Sequence, residues 1–199
     1  MWDFIFAIDY SFLERLHQMA IRHGEWLTPI MRLISLLGEK GIVMFLLSFL
    51  LMLRPKTRRT GFCMFLAVSI GTIIGNGFLK HFLNRPRPFH TSIAEFRDWW
   101  QYVGAMPKQS SSFPSGHVMA IVAGFQAMFL MDRKKYSILL MVLGATLMGA
   151  SRCYFMVHYL TDVLGGIAVG MLSTMIAYSV MPFFWRVIRV DDIFRRFGL

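Results

Sequence analysis

The chain has 199 residues, of which 56% are hydrophobic, and a formal charge of +10. A mean hydropathy of +0.53 excludes an ordinary soluble domain, and the length suits one domain. The basic residues fall in short groups between apolar stretches rather than in one patch, so nucleic acid is not the expected partner; anchoring of membrane helices on the cytoplasmic side accounts for most of them.

In chain order, residues 3–22 place Phe4, Ile8, Phe12, Leu16 and Met19 on one helical face, with Glu14, Arg15, Gln18 and Arg22 elsewhere. That spacing predicts an amphipathic interfacial helix that stops near Gly24. A basic region followed by an apolar core and a cleavage site is lacking, so no removable signal peptide is expected. Residues 26–37 are apolar but interrupted by Arg32, and Gly38-Glu39-Lys40-Gly41 breaks the pattern. About 12 residues reach only about 18 Å, which leaves open whether this segment crosses, re-enters or lies flat. Residues 42–53 are intensely apolar and end at Arg54-Pro55-Lys56-Thr57-Arg58-Arg59, where four basic residues in six place the loop in the cytoplasm.

The next helix, 61–83, runs outward and carries Lys80 at its far end. A polar outer segment, 84–114, holds Trp99, Trp100 and Tyr102, read as an interfacial aromatic anchor. Ser115 to Met131 returns inward to the basic run Arg133-Lys134-Lys135. Residues 136–150 go out again, and 160–184 come back to a tail with Arg186, Arg189, Arg195 and Arg196. The expected architecture is all-α: a polytopic transmembrane helix bundle of five or six spans, five being favoured, in one domain. Its parts are the interfacial helix 1–24, the bundle 25–185 and a basic cytoplasmic tail 186–199. Cys63 and Cys153 fall on opposite sides and are not expected to pair. Gly71-x3-Gly75 and Gly166-x3-Gly170 are small-residue spacings that allow helices to approach closely.

Three polar clusters stand out in this apolar background, and the zigzag carries all of them to the outer face. Lys80 is followed by six residues and then Arg87-Pro88; Pro114-Ser115-Gly116-His117 opens a helix; Ser151-Arg152 precedes His158 and Asp162. This inventory suits a dianionic phosphate: cations neutralise charge, one imidazole attacks phosphorus and the other protonates the departing oxygen. His158 and Asp162 share a face at a helix start, where the carboxylate can fix the imidazole tautomer. The helix start at Ser115 offers backbone N–H groups to an anion, and Gly116 lets that backbone come close. Arg85 and His81 lie nearby but outside the clusters, and His17, His23 and His90 read as surface residues. No carboxylate cluster or close His pair suggests a metal, and no cofactor is expected.

The clusters and their internal spacings resemble the type 2 phosphatidic acid phosphatase (PAP2) superfamily, whose signature reads K-x6-RP, PSGH and SR-x5-H-x3-D. Every specified position is matched, and the motifs cover residues 80–162. The resemblance implies His158 as a nucleophile that forms a phosphohistidine, Asp162 as its orienter and His117 as proton donor. It implies that Lys80, Arg87, Ser115, the Gly116 amide and Arg152 hold phosphate. The expected function is a membrane lipid phosphatase or diphosphatase acting at the outer face of the inner (plasma) membrane. Its substrate would be undecaprenyl diphosphate, phosphatidylglycerol phosphate or phosphatidic acid, in that order. The alternatives are a lipid phosphotransferase sharing the whole site, and a non-catalytic transporter or lipid-binding scaffold. The expected partners are the lipid phosphate and the phospholipid bilayer; oligomeric state is left open.

Overall fold

A computed structural model describes residues 2–38, 41–107, 110–188 and 194. The elements are α1 (Trp2–Leu37), α2 (Ile42–Leu53), α3 (Arg58–Thr72) continuing through a π-helical stretch (Ile73–Leu79) into α4 (Lys80–Leu83), a 3-10 turn (Pro88–His90), α5 (Ala94–Tyr102), α6 (Gly116–Asp132), α7 (Lys135–Tyr154) and α8 (Leu160–Ile188). Among the described residues there is no strand.

Helix α1 is longer than the expected interfacial helix. It does not stop at Gly24 but continues through Gly24 and Pro29 as one helix of 36 residues, about 54 Å long. The reason is a buried stripe running from Asp9 through Leu13, Leu16, Ala20 and Leu27 to Ser35. Its spacing keeps the 3.6-residue period across the glycine. A glycine inside a helix costs about 1 kcal/mol, which burial of two or three side chains offsets. The face chosen from sequence overlaps the buried one only in part: Leu16 is buried and Phe12 packs against the core, but Phe4, Ile8 and Met19 are exposed. Asp9, a carboxylate inside an apolar stripe, set the true face and could not be recognised as core from hydropathy.

Three helical runs among the described residues are long and apolar enough to cross a membrane: Arg58–His90, Lys135–Tyr154 and Leu160–Ile188. The pair α1 and α2 passes only when taken together as one broken span. Helix α2 has 12 residues and α6 has 17, both short of the ~20 that span a bilayer. Glu39 and Lys40 of the expected break, and Arg189, Arg195 and Arg196 of the tail, lie outside the described residues.

Helices α3, α6 and α8 pack on one another, with α2 against α3 and α7 between α6 and α1. Ala67, Val68, Val118, Val122, Ala123 and Ala177 fill the contact. A glycine pair on α8 brings it close to α6. A Cβ at Gly166 would stand 2.6 Å from the Ser115 carbonyl oxygen, and one at Gly170 would stand 2.8 Å from that of Met119. Bare backbone at both positions lets α8 lie directly on the start of α6. Cys63 and Cys153 are both buried as free thiols.

The segment between α4 and α6 folds back on α1. Phe96 is fully buried, Trp99 stacks on His17 at 5.0 Å, and Trp100 stacks on Phe89 at 4.6 Å. The indole N–H of Trp100 also donates to the Met106 carbonyl at 3.0 Å. The two tryptophans are therefore packing residues of a folded cap rather than lipid anchors, and His17 belongs to the packing rather than the surface. Tyr102, His23 and His90 remain exposed.

Candidate active site

All three clusters arrive at one end of the bundle. The α3–α4 run and α7 finish at that end, and α6 and α8 start from it. Lys80 follows the π-helical stretch, Gly116 and His117 occupy the first turn of α6, and Arg152 sits in the last turn of α7. His158 lies in the connection to α8, and Asp162 lies in the first turn of α8. A cavity of about 670 Å³ opens there, and Lys80, Arg87, Gly116, His117, Arg152 and His158 line it. The structure thus gathers in one wall six of the eight residues expected from sequence. Asp162 stands behind His158, and Ser115 is fully buried behind the wall.

His158 is only 2% exposed. Its Nδ1 lies 3.4 Å from Asp162 Oδ2, and its Nε2 lies 3.5 Å from Arg87 Nη1. With the proton on Nδ1 donated to the carboxylate, the Nε2 lone pair faces the cations of the cavity. Burial, then Arg87, Arg152 and Lys80, hold this imidazole well below its ordinary value of 6.5, since a second positive charge is disfavoured there. A neutral imidazole aimed at a cationic hollow keeps a lone pair free to react with an electrophile held there.

The arginines are held in fixed geometry. Arg87 Nε donates to the Ser110 carbonyl at 2.7 Å, and Nη2 reaches Ser110 Oγ at 3.1 Å and the Ser111 carbonyl at 3.2 Å. Its Nη1 also donates to the Val157 carbonyl. Arg152 donates to Ser35 Oγ on α1, and the neighbouring Ser151 Oγ donates to the Met31 carbonyl at 2.7 Å. The guanidinium groups are therefore oriented in advance of any ligand, which strengthens electrostatic binding. The Ser115 amide donates to the Asp162 carbonyl at 3.0 Å, tying the start of α6 to the start of α8. Ser115 Oγ has no hydrogen-bond partner among the described residues. His117 borders the polar cavity on one side. With Ala120 it also borders an adjoining apolar cavity of about 220 Å³ formed by α1, α2, α6 and α7.

Four residues escaped the sequence reading. Asn76 and His81 line the cavity with the predicted set. Asn76 is four residues before Lys80, and that one-turn spacing was a usable signal. Arg85 bonds Asp162 and Asp9, and Asp9 bonds Thr161 at the start of α8. Arg85 was visible only as a neighbour of Arg87. Nothing local in the sequence links Asp9 to a site so far along the chain.

The sequence profile described as the PAP2 superfamily matches residues 59–186. Phosphatidylglycerophosphatase B of Bacillus subtilis (strain 168) is 31% identical over 161 residues, covering 74% of this chain and 71% of that protein. Two crystal structures share the fold. One is a transmembrane PAP2 type phosphatidylglycerolphosphate phosphatase from Bacillus subtilis, with TM-score 0.61, 23% identity, and 89% and 92% of the two chains covered. The other is Aquifex aeolicus LpxE, with TM-score 0.65, 24% identity, and 84% and 94% covered.

Proposed function

The chain belongs to the PAP2 superfamily, and from that premise we propose that it is a membrane lipid phosphatase working through a phosphohistidine on His158. The observation that carries this reading is that His158 meets Asp162 through Nδ1 and lines a cavity bordered by Lys80, Arg87 and Arg152. Nε2 of His158 attacks phosphorus while the bond to the lipid oxygen breaks, and His117 donates a proton to that oxygen. Lys80, Arg87 and Arg152, with the Gly116 amide at the helix start, balance the charge on the phosphoryl oxygens. Ser115, behind the wall, positions that amide through its own backbone bond to the start of α8. Water, giving its proton to His117, then attacks the phosphohistidine, and inorganic phosphate leaves with His158 neutral again. The donor set supplies cations where a metal enzyme would gather carboxylates, so turnover is read as metal-independent.

The site is assigned to the outer side of the inner (plasma) membrane. The basic loops 54–59 and 132–135 lie at the opposite end of the helices and obey the positive-inside rule. On this reading α6 also crosses, and the bundle has five crossings. The B. subtilis relative, named for phosphatidylglycerophosphate, moves that lipid to the head of the candidate substrates, ahead of undecaprenyl diphosphate and phosphatidic acid. The test is phosphate release from a panel of these lipids, with and without chelator, together with trapping of the phosphoenzyme. The expected result is chelator-insensitive release, with both turnover and phosphoenzyme abolished by His158→Ala. Phosphoenzyme persisting in that variant, or activity lost to EDTA and restored by added metal, would overturn the mechanism.

A further inference from the structure

Arg85 does not line the cavity, unlike Arg87 two residues later, and its guanidinium is directed to a different set of partners. Nη1 donates to Asp162 Oδ1 at 2.6 Å and to Thr161 Oγ1 at 2.7 Å, and Nη2 donates to Asp9 Oδ2 at 2.8 Å. The guanidinium also lies over the Tyr159 ring, 4.0 Å from its centroid. Both carboxylates are fully buried, whereas the Arg85 side chain keeps 28% exposure. Two buried carboxylates in one site repel unless a cation lies between them. Here one guanidinium bridges them.

The bridge fixes which oxygen of Asp162 does what. Oδ1 is taken by Arg85, while Oδ2 accepts from the Tyr159 amide at 2.9 Å and faces His158 Nδ1 at 3.4 Å. Asp9 anchors the other end: Oδ1 accepts from the Thr161 amide at 2.9 Å, and Oδ2 accepts from Thr161 Oγ1 at 2.6 Å. Helix α1 thereby grips both the cation and the first turn of the helix that carries Asp162. It does so from outside residues 59–186, the part matched by the superfamily profile.

We propose that Arg85 is a positioning residue that holds Asp162 in register with His158, and that Asp9 of α1 holds Arg85 in turn. This rests on the reading of His158 as nucleophile. It separates two arginines with similar sequence surroundings: Arg87 acts on phosphate, and Arg85 acts through Asp162.

The test is a double-mutant cycle on the full-length protein in detergent, with phosphatidylglycerophosphate as probe and the rate of phosphoenzyme formation as readout. Arg85→Gln is expected to slow phosphoenzyme formation by about 10- to 100-fold with KM within about two-fold of wild type. Asp9→Asn keeps the shape of the anchor and is expected to slow it by about 3- to 10-fold. In an Asp162→Asn background, Arg85→Gln should cost less than about three-fold more, because both act through the same contact. Arg85→Lys, keeping charge and one bond, should recover part of the rate. Multiplicative losses in the double variant, or a KM rising in step with the rate loss, would show that Arg85 acts on substrate or independently. Wild-type rates in Asp9→Asn would remove α1 from the chain of contacts. Melting temperatures of each variant identify a loss of folding, and the Asp9 and Lys variants keep the question answerable if Arg85→Gln does not fold. A wild-type enzyme that forms no phosphohistidine would sink the parent reading. Wild-type rates in the Arg85 variants would sink this one alone.

Discussion

His158 joins burial, a carboxylate on one ring nitrogen and cations facing the other, and each has a consequence at a defined pH. Burial and the neighbouring charges of Arg87, Arg152 and Lys80 disfavour the imidazolium. With the folded value below the ordinary one, the ring stays neutral as pH falls through 6.5 and protonates only at lower pH. Nitrogen NMR of the labelled imidazoles in the free enzyme should therefore find His158 neutral at pH 6.5, with its proton on Nδ1. An imidazolium signal there would contradict the assignment as nucleophile. His117 is expected to behave differently, because a general acid matters in proportion to the basicity of the leaving oxygen. His117→Ala should slow lipid alkyl phosphates by about 10²- to 10⁴-fold and activated aryl phosphates far less. Equal losses for both substrate types would withdraw its role. At this scale the sequence was informative about placement wherever near neighbours decide it: His158 with Asp162, Ser115 through His117, Lys80 with Arg87. It was silent on Asp9, whose contacts form only where α1 meets the start of α8, and it gave Arg85 no direction.

The elements were legible where the pattern is local and misread where packing decides. Helices α2, α6 and α8 and the continuous run from α3 to α4 fall within a few residues of the apolar runs that predicted them. Gly24 was read as a stop because glycine alone argues for one, yet the buried stripe of α1 carries through it. Trp99 and Trp100 were read as anchors because indoles favour interfaces, yet Phe89, Phe96 and His17 supply closer partners. The π-helical stretch Ile73–Leu79 had no sequence signature, although Gly75 and Gly77 lie within it. The α6–α8 contact makes a sharper prediction. A methyl group at Gly166 would meet the Ser115 carbonyl at 2.6 Å, and that carbonyl belongs to the residue whose amide bonds Asp162. Gly166→Ala should therefore lower stability by about 1–3 kcal/mol and reduce turnover with it. Gly77→Ala is the control, since its nearest neighbour would be 4.0 Å away. Thermal unfolding in detergent decides, and equal melting temperatures for the two variants would refute the argument.

At the scale of the molecule, the candidate site residues gather at one end of helices whose sides expose Phe, Leu, Ile and Met. On the proposed orientation that end faces the outer side of the membrane. Ser92 lies in the connection beside the site and is exposed, so a cysteine placed there, in a background lacking Cys63 and Cys153, should react with an impermeant reagent in intact cells. Labelling only after the membrane is opened would place the site on the cytoplasmic side. The same geometry bears on substrate choice. His117 stands between a cation-lined cavity and an apolar one, so a leaving oxygen beside it can continue into a hydrocarbon chain without crossing the polar wall. A lipid could thus present only its phosphate to the cations while its tails stay in apolar surroundings, whereas a soluble ester would leave the apolar cavity wall unpartnered. Burial of apolar surface contributes about 25 cal/mol per Å², enough for a few methylene groups to change the effective affinity by an order of magnitude or more. Long-chain lipid phosphates should therefore be favoured over water-soluble esters, chiefly through a lower KM. Kinetics in mixed micelles measure this directly: a soluble sugar phosphate with kcat/KM equal to or above the best lipid's would defeat the lipid assignment while leaving the phosphohistidine chemistry standing.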